Sequence, residues 1–163
     1  MATLTPKNPV FIYSDLRDRM PIEERLVDGS ATYKAGQFLY GAADGLIYAA
    51  ASDATTIHYL AVADLDSAIG ADTTYKRMAR ISASDVFEMF ELDGTIAEAD
   101  TGERRALDVT SNLCTLDNDD TGNDAFIVVA PVWRAEKFVN TSADVKARVL
   151  ASVLDSVANA EPA

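Results

Sequence analysis

Along most of the chain, apolar and polar positions alternate in short runs broken by turn residues, a pattern that predicts strands rather than long helices. Gln37-Phe38-Leu39-Tyr40 leads to Asp44-Gly45 and then to Leu46-Ile47-Tyr48-Ala49. Two β-prone runs about an Asp-Gly pair predict a hairpin, because glycine accepts the positive φ of a tight turn. Residues 55–63 (TTIHYLAVA) are rich in β-branched and aromatic side chains and read as a further strand. Residues 76–81 follow, then 86–92 (VFEMFEL), where Val86, Glu88, Phe90 and Leu92 share one face and Asp93-Gly94 supplies the next turn. Arg105, Leu107 and Val109 alternate with Ala106, Asp108 and Thr110. Residues 125–132 (AFIVVAPV) are almost continuously apolar, as in a strand covered on both faces, and Pro131 marks an edge or an exit.

Helical patterns are few. Residues 65–69 have room for a single turn. The tail, residues 145–157, supports two readings. Val145, Val149, Val153 and Val157 recur every four residues, with Ser142 placed as a cap, which suits an amphipathic helix. The same stretch also alternates as a strand does. Short strands at this spacing predict a mainly β domain, a small barrel or sandwich of antiparallel strands, over residues 31–160.

The first thirty residues differ. Pro6, Pro9 and Pro21 punctuate them, charges crowd from Asp15 to Arg25, and Val10-Phe11-Ile12-Tyr13 is their strongly apolar patch. Proline lacks a donor and biases its predecessor toward extended backbone. Residues 1–30 therefore read as an extended N-terminal arm, either packed on its own domain as a leader strand or reaching a neighbouring subunit.

Composition narrows the partners. The 163 residues carry 26 Asp and Glu against 14 Lys and Arg, a formal charge of −12. Such a surface repels phosphate backbones and anionic lipid, so neither nucleic acid nor membrane is an expected partner. No apolar run reaches the roughly 18 residues of a membrane span, and the N-terminus lacks a signal-peptide pattern. Synthesis in a cytoplasm is the expectation.

Catalytic chemistry finds little footing. His58 is the single histidine and lies in a strand-like run without a local partner; a strand histidine at the surface or in a satisfied hydrogen bond explains it. Cys114, the single cysteine, has no adjacent base to activate it and reads as a small buried hydrophobe. Two such residues cannot supply a zinc site. Asp117, Asp119, Thr121 and Gly122 imitate the start of a calcium loop, but Val128 stands where the bidentate acid belongs. A turn whose Asp and Asn side chains bond their own backbone accounts for the same residues. Glu98 with Asp100 and Asp64 with Asp66 read as a solvated acidic face, and no Gly-rich loop cradles a phosphate. No catalytic residue, cofactor or metal site is assigned, and the expectation is a protein that binds or builds.

Tyr33-Lys34-Ala35-Gly36-Gln37-Phe38-Leu39-Tyr40, then Asp44 to Ala50 and Leu60-Ala61-Val62-Ala63, have a cadence that resembles the small β-barrel decoration, or cement, proteins of tailed-bacteriophage capsids. In that family a lysine–alanine–glycine lead-in precedes a hairpin, an alanine-rich stretch and a strand ending in small apolar residues. Ala61 stands where the family often has glycine. The resemblance implies a virion structural protein on the capsid exterior, bound to the major capsid protein, often as a homotrimer. It also implies that the N-terminal arm contacts the major capsid protein or a sister subunit and that the 145–157 tail is a strand. A second reading is a β-sandwich module binding carbohydrate or another ligand, with Trp133 and tyrosines 33, 40, 48, 59 and 75 available to stack on sugars.

Overall fold

The computed structural model describes residues 6–91, 98–118, 123–131 and 148–162. Among these residues eleven strands fall into two antiparallel sheets: β1 (Val10–Ser14), β2 (Ile22–Leu26), β3 (Phe38–Gly41), β4 (Ile47–Ala49), β5 (Tyr59–Ala61), β6 (Tyr75–Arg80), β7 (Asp85–Met89), β8 (Arg104–Thr110), β9 (Leu113–Asp117), β10 (Asp124–Pro131) and β11 (Val149–Val153). The six-stranded sheet has the order β1-β7-β11-β10-β8-β9, and the five-stranded sheet β2-β6-β5-β3-β4. The mainly β architecture expected from the periodicity is present, with the sheets packed face to face as a sandwich.

Both sheets also curl until distant strands meet. Val27, which follows β2, bridges Ile47 of β4 in parallel, and Asp28 donates its N–H to the Ile47 carbonyl at 3.1 Å. Glu91, just beyond β7, bridges Leu116 of β9 in the same sense, with the Leu116 N–H on the Phe90 carbonyl at 2.8 Å. Curling gives the five-stranded sheet an inside and an outside, and its side chains sort by the period of two. Leu39, Ile47, Tyr59, Ala61 and Met78 join Val27, Tyr33 and Leu65 in one enclosed cluster. Phe38, Leu60 and Ala79 point the other way, into the main core with Phe87, Met89, Leu107, Leu116, Phe126, Val128, Val149 and Ala151 of the six-stranded sheet. Phe38 meets Phe87 edge-on at 5.5 Å and Phe126 at 5.3 Å, which fixes one sheet on the other.

Local chemistry sets the turns. β3 and β4 form the hairpin expected about Asp44-Gly45: Gly45 has φ 84°, and Asp44 Oδ1 accepts the Leu46 N–H. The β8–β9 hairpin turns through Ser111 and Asn112, both at positive φ, as its two-residue loop requires. Gly29 lies where the backbone of Ala71 approaches so closely that an added Cβ would sit 2.6 Å from its nitrogen.

Several local expectations change. Residues 65–69 form no helical turn; Leu65 instead pairs with Tyr33, because its side chain belongs to the enclosed cluster. The tail divides: β11 is a central strand between β10 and β7, and Asp155–Ala158 is one helical turn, α1. Within the N-terminal thirty residues, β1 borders β7 and β2 borders β6, so both lie as extended chain on sheets of their own molecule. The connection between them is anchored by Arg17, which grips buried Asp85 with Nε at 3.0 Å and with Nη2, and also bonds the Arg80 carbonyl.

Candidate functional site

His58 lies on the lead-in to β5. Its Nδ1 accepts the Gly41 N–H at 3.0 Å, and its Nε2 donates to the Ala160 carbonyl at 2.9 Å. Burial holds its pKa below the usual imidazole value, and the positive charges of Arg80 and Arg25 act in the same direction. The neutral ring thus ties the C-terminal tail to the five-stranded sheet, with both nitrogens committed to backbone.

Cys114 is fully enclosed on β9. Burial pushes its thiol up to about 12, so the thiolate needed for nucleophilic work is disfavoured. The Cys114 N–H bonds Asn8 Oδ1 at 2.8 Å, while Asn8 Nδ2 reaches the Asn112 and Ala35 carbonyls. One amide therefore joins the N-terminal segment, the β8–β9 turn and the loop before β3.

Asp64 and Asp66 converge on Lys34 Nζ, and Asp64 also accepts the Ala35 N–H at 2.7 Å. That backbone bond, foremost, lowers the Asp64 pKa. Their geometry fastens a loop. Asp117 and Asn118 lead out of β9 and Asp124 opens β10, whereas residues 119–122 of the acidic turn that imitates a calcium loop lie outside the described residues. Among the described residues no group of three acidic, His or Cys side chains is placed to hold a metal. The tyrosines are dispersed: Tyr33 and Tyr59 are buried, Tyr40 stacks on Tyr48 at 5.6 Å, and Tyr75 is exposed. Trp133 lies outside the described residues.

A cavity of about 300 Å³ opens at the polar end of the five-stranded ring, lined by Arg25, Gly41, His58, Tyr59 and Arg80 and rimmed by the tail from Asn159 to Pro162. The strand register explains the convergence. Arg25 on β2, Tyr59 on β5 and Arg80 on β6 sit at positions of the alternation shared with the enclosed Met78 and Leu39. Beyond the apolar plug, those inward positions turn polar. The guanidinium carbons of Arg80 and Arg25 lie over the Tyr59 ring at 5.1 and 5.7 Å. Arg80 donates to the Tyr59 hydroxyl at 3.2 Å, which in turn donates to Glu23 at 3.3 Å. Among the described residues neither Arg25 nor Arg80 forms an ion pair. Sequence reading singled out Tyr59 but neither arginine, since only strand register reveals that three separate strands share one inward face.

A second feature lies on the opposite sheet. Among the described residues β1 ends the strand order, and Val10, Ile12 and Tyr13 on it and Leu16 just beyond it are exposed, Leu16 at 81 %. Its outer side, unpaired among the described residues, offers backbone donors and acceptors to an added strand. Among the described residues no helix is long and apolar enough to cross a membrane. Compared with protein-family models, with curated proteins and with solved structures, the chain has no match in any of the three.

Proposed function

We propose that this protein is a bacteriophage virion component that decorates the outer surface of the capsid, binds the major capsid protein as a homotrimer and braces the shell. The observation that carries this reading is the apolar edge strand. Val10, Ile12, Tyr13 and Leu16 gather on and just beyond β1, whose outer side is unpaired among the described residues. Monomeric proteins usually blunt such an edge with charge or cover it, and an added strand gains both hydrogen bonds and apolar contact there. The resemblance of residues 33–63 to capsid cement proteins supplies the partner. Cementing asks for surface rather than a reactive centre: weak contacts repeated around a closed lattice give large avidity.

Mixing the purified protein with expanded, undecorated capsids and recording their rupture temperature tests the reading. The expected result is saturable binding with a raised rupture temperature, weakened about tenfold or more by Ile12→Asp or Leu16→Asp in folded protein. Absence of binding, or binding indifferent to both substitutions, overturns it.

A further inference from the structure

We infer that the cavity at the polar end of the five-stranded ring is a binding site for a carboxylate, held between the guanidinium groups of Arg25 and Arg80. The inference stands apart from capsid decoration and would survive its failure. In a chain of net charge −12, two arginines converge on one cavity without an ion pair to either among the described residues. Each is preoriented over the ring of Tyr59, which is itself only 2 % exposed. Arg80 spends one donor on the Tyr59 hydroxyl. A guanidinium carries five donors in a fixed fork, so among the described residues most of those facing the cavity have no protein acceptor.

The floor adds shape and little competing charge. His58 is neutral and commits both nitrogens to backbone, and Gly41 and Ala42 contribute no bulk. Glu23 is engaged by the Tyr59 hydroxyl. Glu161 stands on the rim, on the exposed tail. Its carboxylate is a tethered competitor for the same fork. The cavity, about 300 Å³, is at the small end of ligand sites and fits a carboxylate with a short apolar or amide-bearing stem. A monoanion suits the site better than a phosphate dianion, because long-range repulsion by the acidic molecule doubles with ligand charge. The carboxylate has two possible sources: a free small acid, or a Glu or Asp side chain presented by another protein.

The experiment follows the Arg Nε–Hε resonances of the full chain at fixed ionic strength while propionate, the blocked amino acid acetyl-glutamyl-amide, or inorganic phosphate is added. Saturable shifts at Arg25 and Arg80 with both carboxylates are expected. Arg25→Gln should weaken them about tenfold or more, and Glu161→Gln should tighten them severalfold. Tighter binding of acetyl-glutamyl-amide identifies a protein side chain as the source, and tighter binding of propionate a free acid. Arg25 lies near the sheet edge, and Arg25→Lys, which keeps the charge but removes the fork, gives a second variant should Arg25→Gln fold poorly. The inference is overturned by shifts that do not saturate, by binding unchanged in the Arg25 variants, or by phosphate binding more tightly than either carboxylate.

Discussion

In the five-stranded ring, Leu39, Ile47 and Met78 fill the interior and the charges of Arg25, Arg80 and Glu23 gather at one open end. In the six-stranded sheet, apolar side chains also fill the concave face, yet a further set, Val10, Ile12, Tyr13 and Leu16, stands outside on β1. Both sheets curl, and among the described residues each is fastened by one parallel bridge. They differ in what is left over: a pocket with unspent donors in one, an edge with unspent apolar area and backbone in the other. The first suits a small charged group. The second suits a chain or a surface.

The contrast assumes that the two sheets fold as one body with separate outward chemistry, and substitutions can break that. The largest effect is expected from Phe38→Ala. Phe38 is fully buried on the five-stranded sheet and packs on Phe87 and Phe126 of the other. Its loss should cost about 4 kcal/mol, seen in urea denaturation as one transition shifted for probes on both sheets. Two separated transitions would show that the sheets are independent units. A smaller effect, about 3 kcal/mol, is expected from Arg17→Ala, which leaves the Asp85 carboxylate, buried at 0 % exposure, without its countercharge and with the Ser82 N–H as a remaining donor. Since Arg17 fixes the connection between β1 and β2, hydrogen exchange should rise first at β1. Protection unchanged there would remove the case that Arg17 holds the edge in place.

The smallest effect concerns His58 and the mouth. Its folded pKa lies below the reference value of 6.5, so folding favours the neutral ring. That contribution is complete above pH 6.5 and is lost as the pH falls from there through the lower folded value. Between about pH 7.5 and about pH 5.5, the wild-type chain should therefore lose more stability than His58→Gln. Equal losses would mean that the ring does not hold the tail through its neutral form.

The mainly β class, the hairpin at Asp44-Gly45 and the runs that became β6, β7, β8 and β10 were legible from alternation and turn chemistry alone, since those are local properties. β9 was harder to see, because its Ser111-Asn112 turn uses residues that tolerate positive φ without the signal of a glycine. The tail was ambiguous for a physical reason. Val149 and Val153 fit both periods, and what selects the strand is the ladder on either side, from β10 and β7, which lie far away in sequence. Of the two readings of His58, surface or hydrogen-bonded, the second holds, but its partners Gly41 and Ala160 are ones that no local pattern announces. The pocket was least legible of all. Arg25 and Arg80 look like ordinary surface charges until β2, β5 and β6 are set in register.

The bridges at Val27–Ile47 and Glu91–Leu116 give each curled sheet the character of a hoop with a clasp. Stress on a hoop is not shared evenly: the ladders resist it along several rungs, whereas among the described residues the clasp resists it with one. Swelling of either hoop would begin by parting that rung, and the strands beside it would loosen together. A body laid across the clasp and bound only while it is shut would strengthen the entire ring, in proportion to its occupancy.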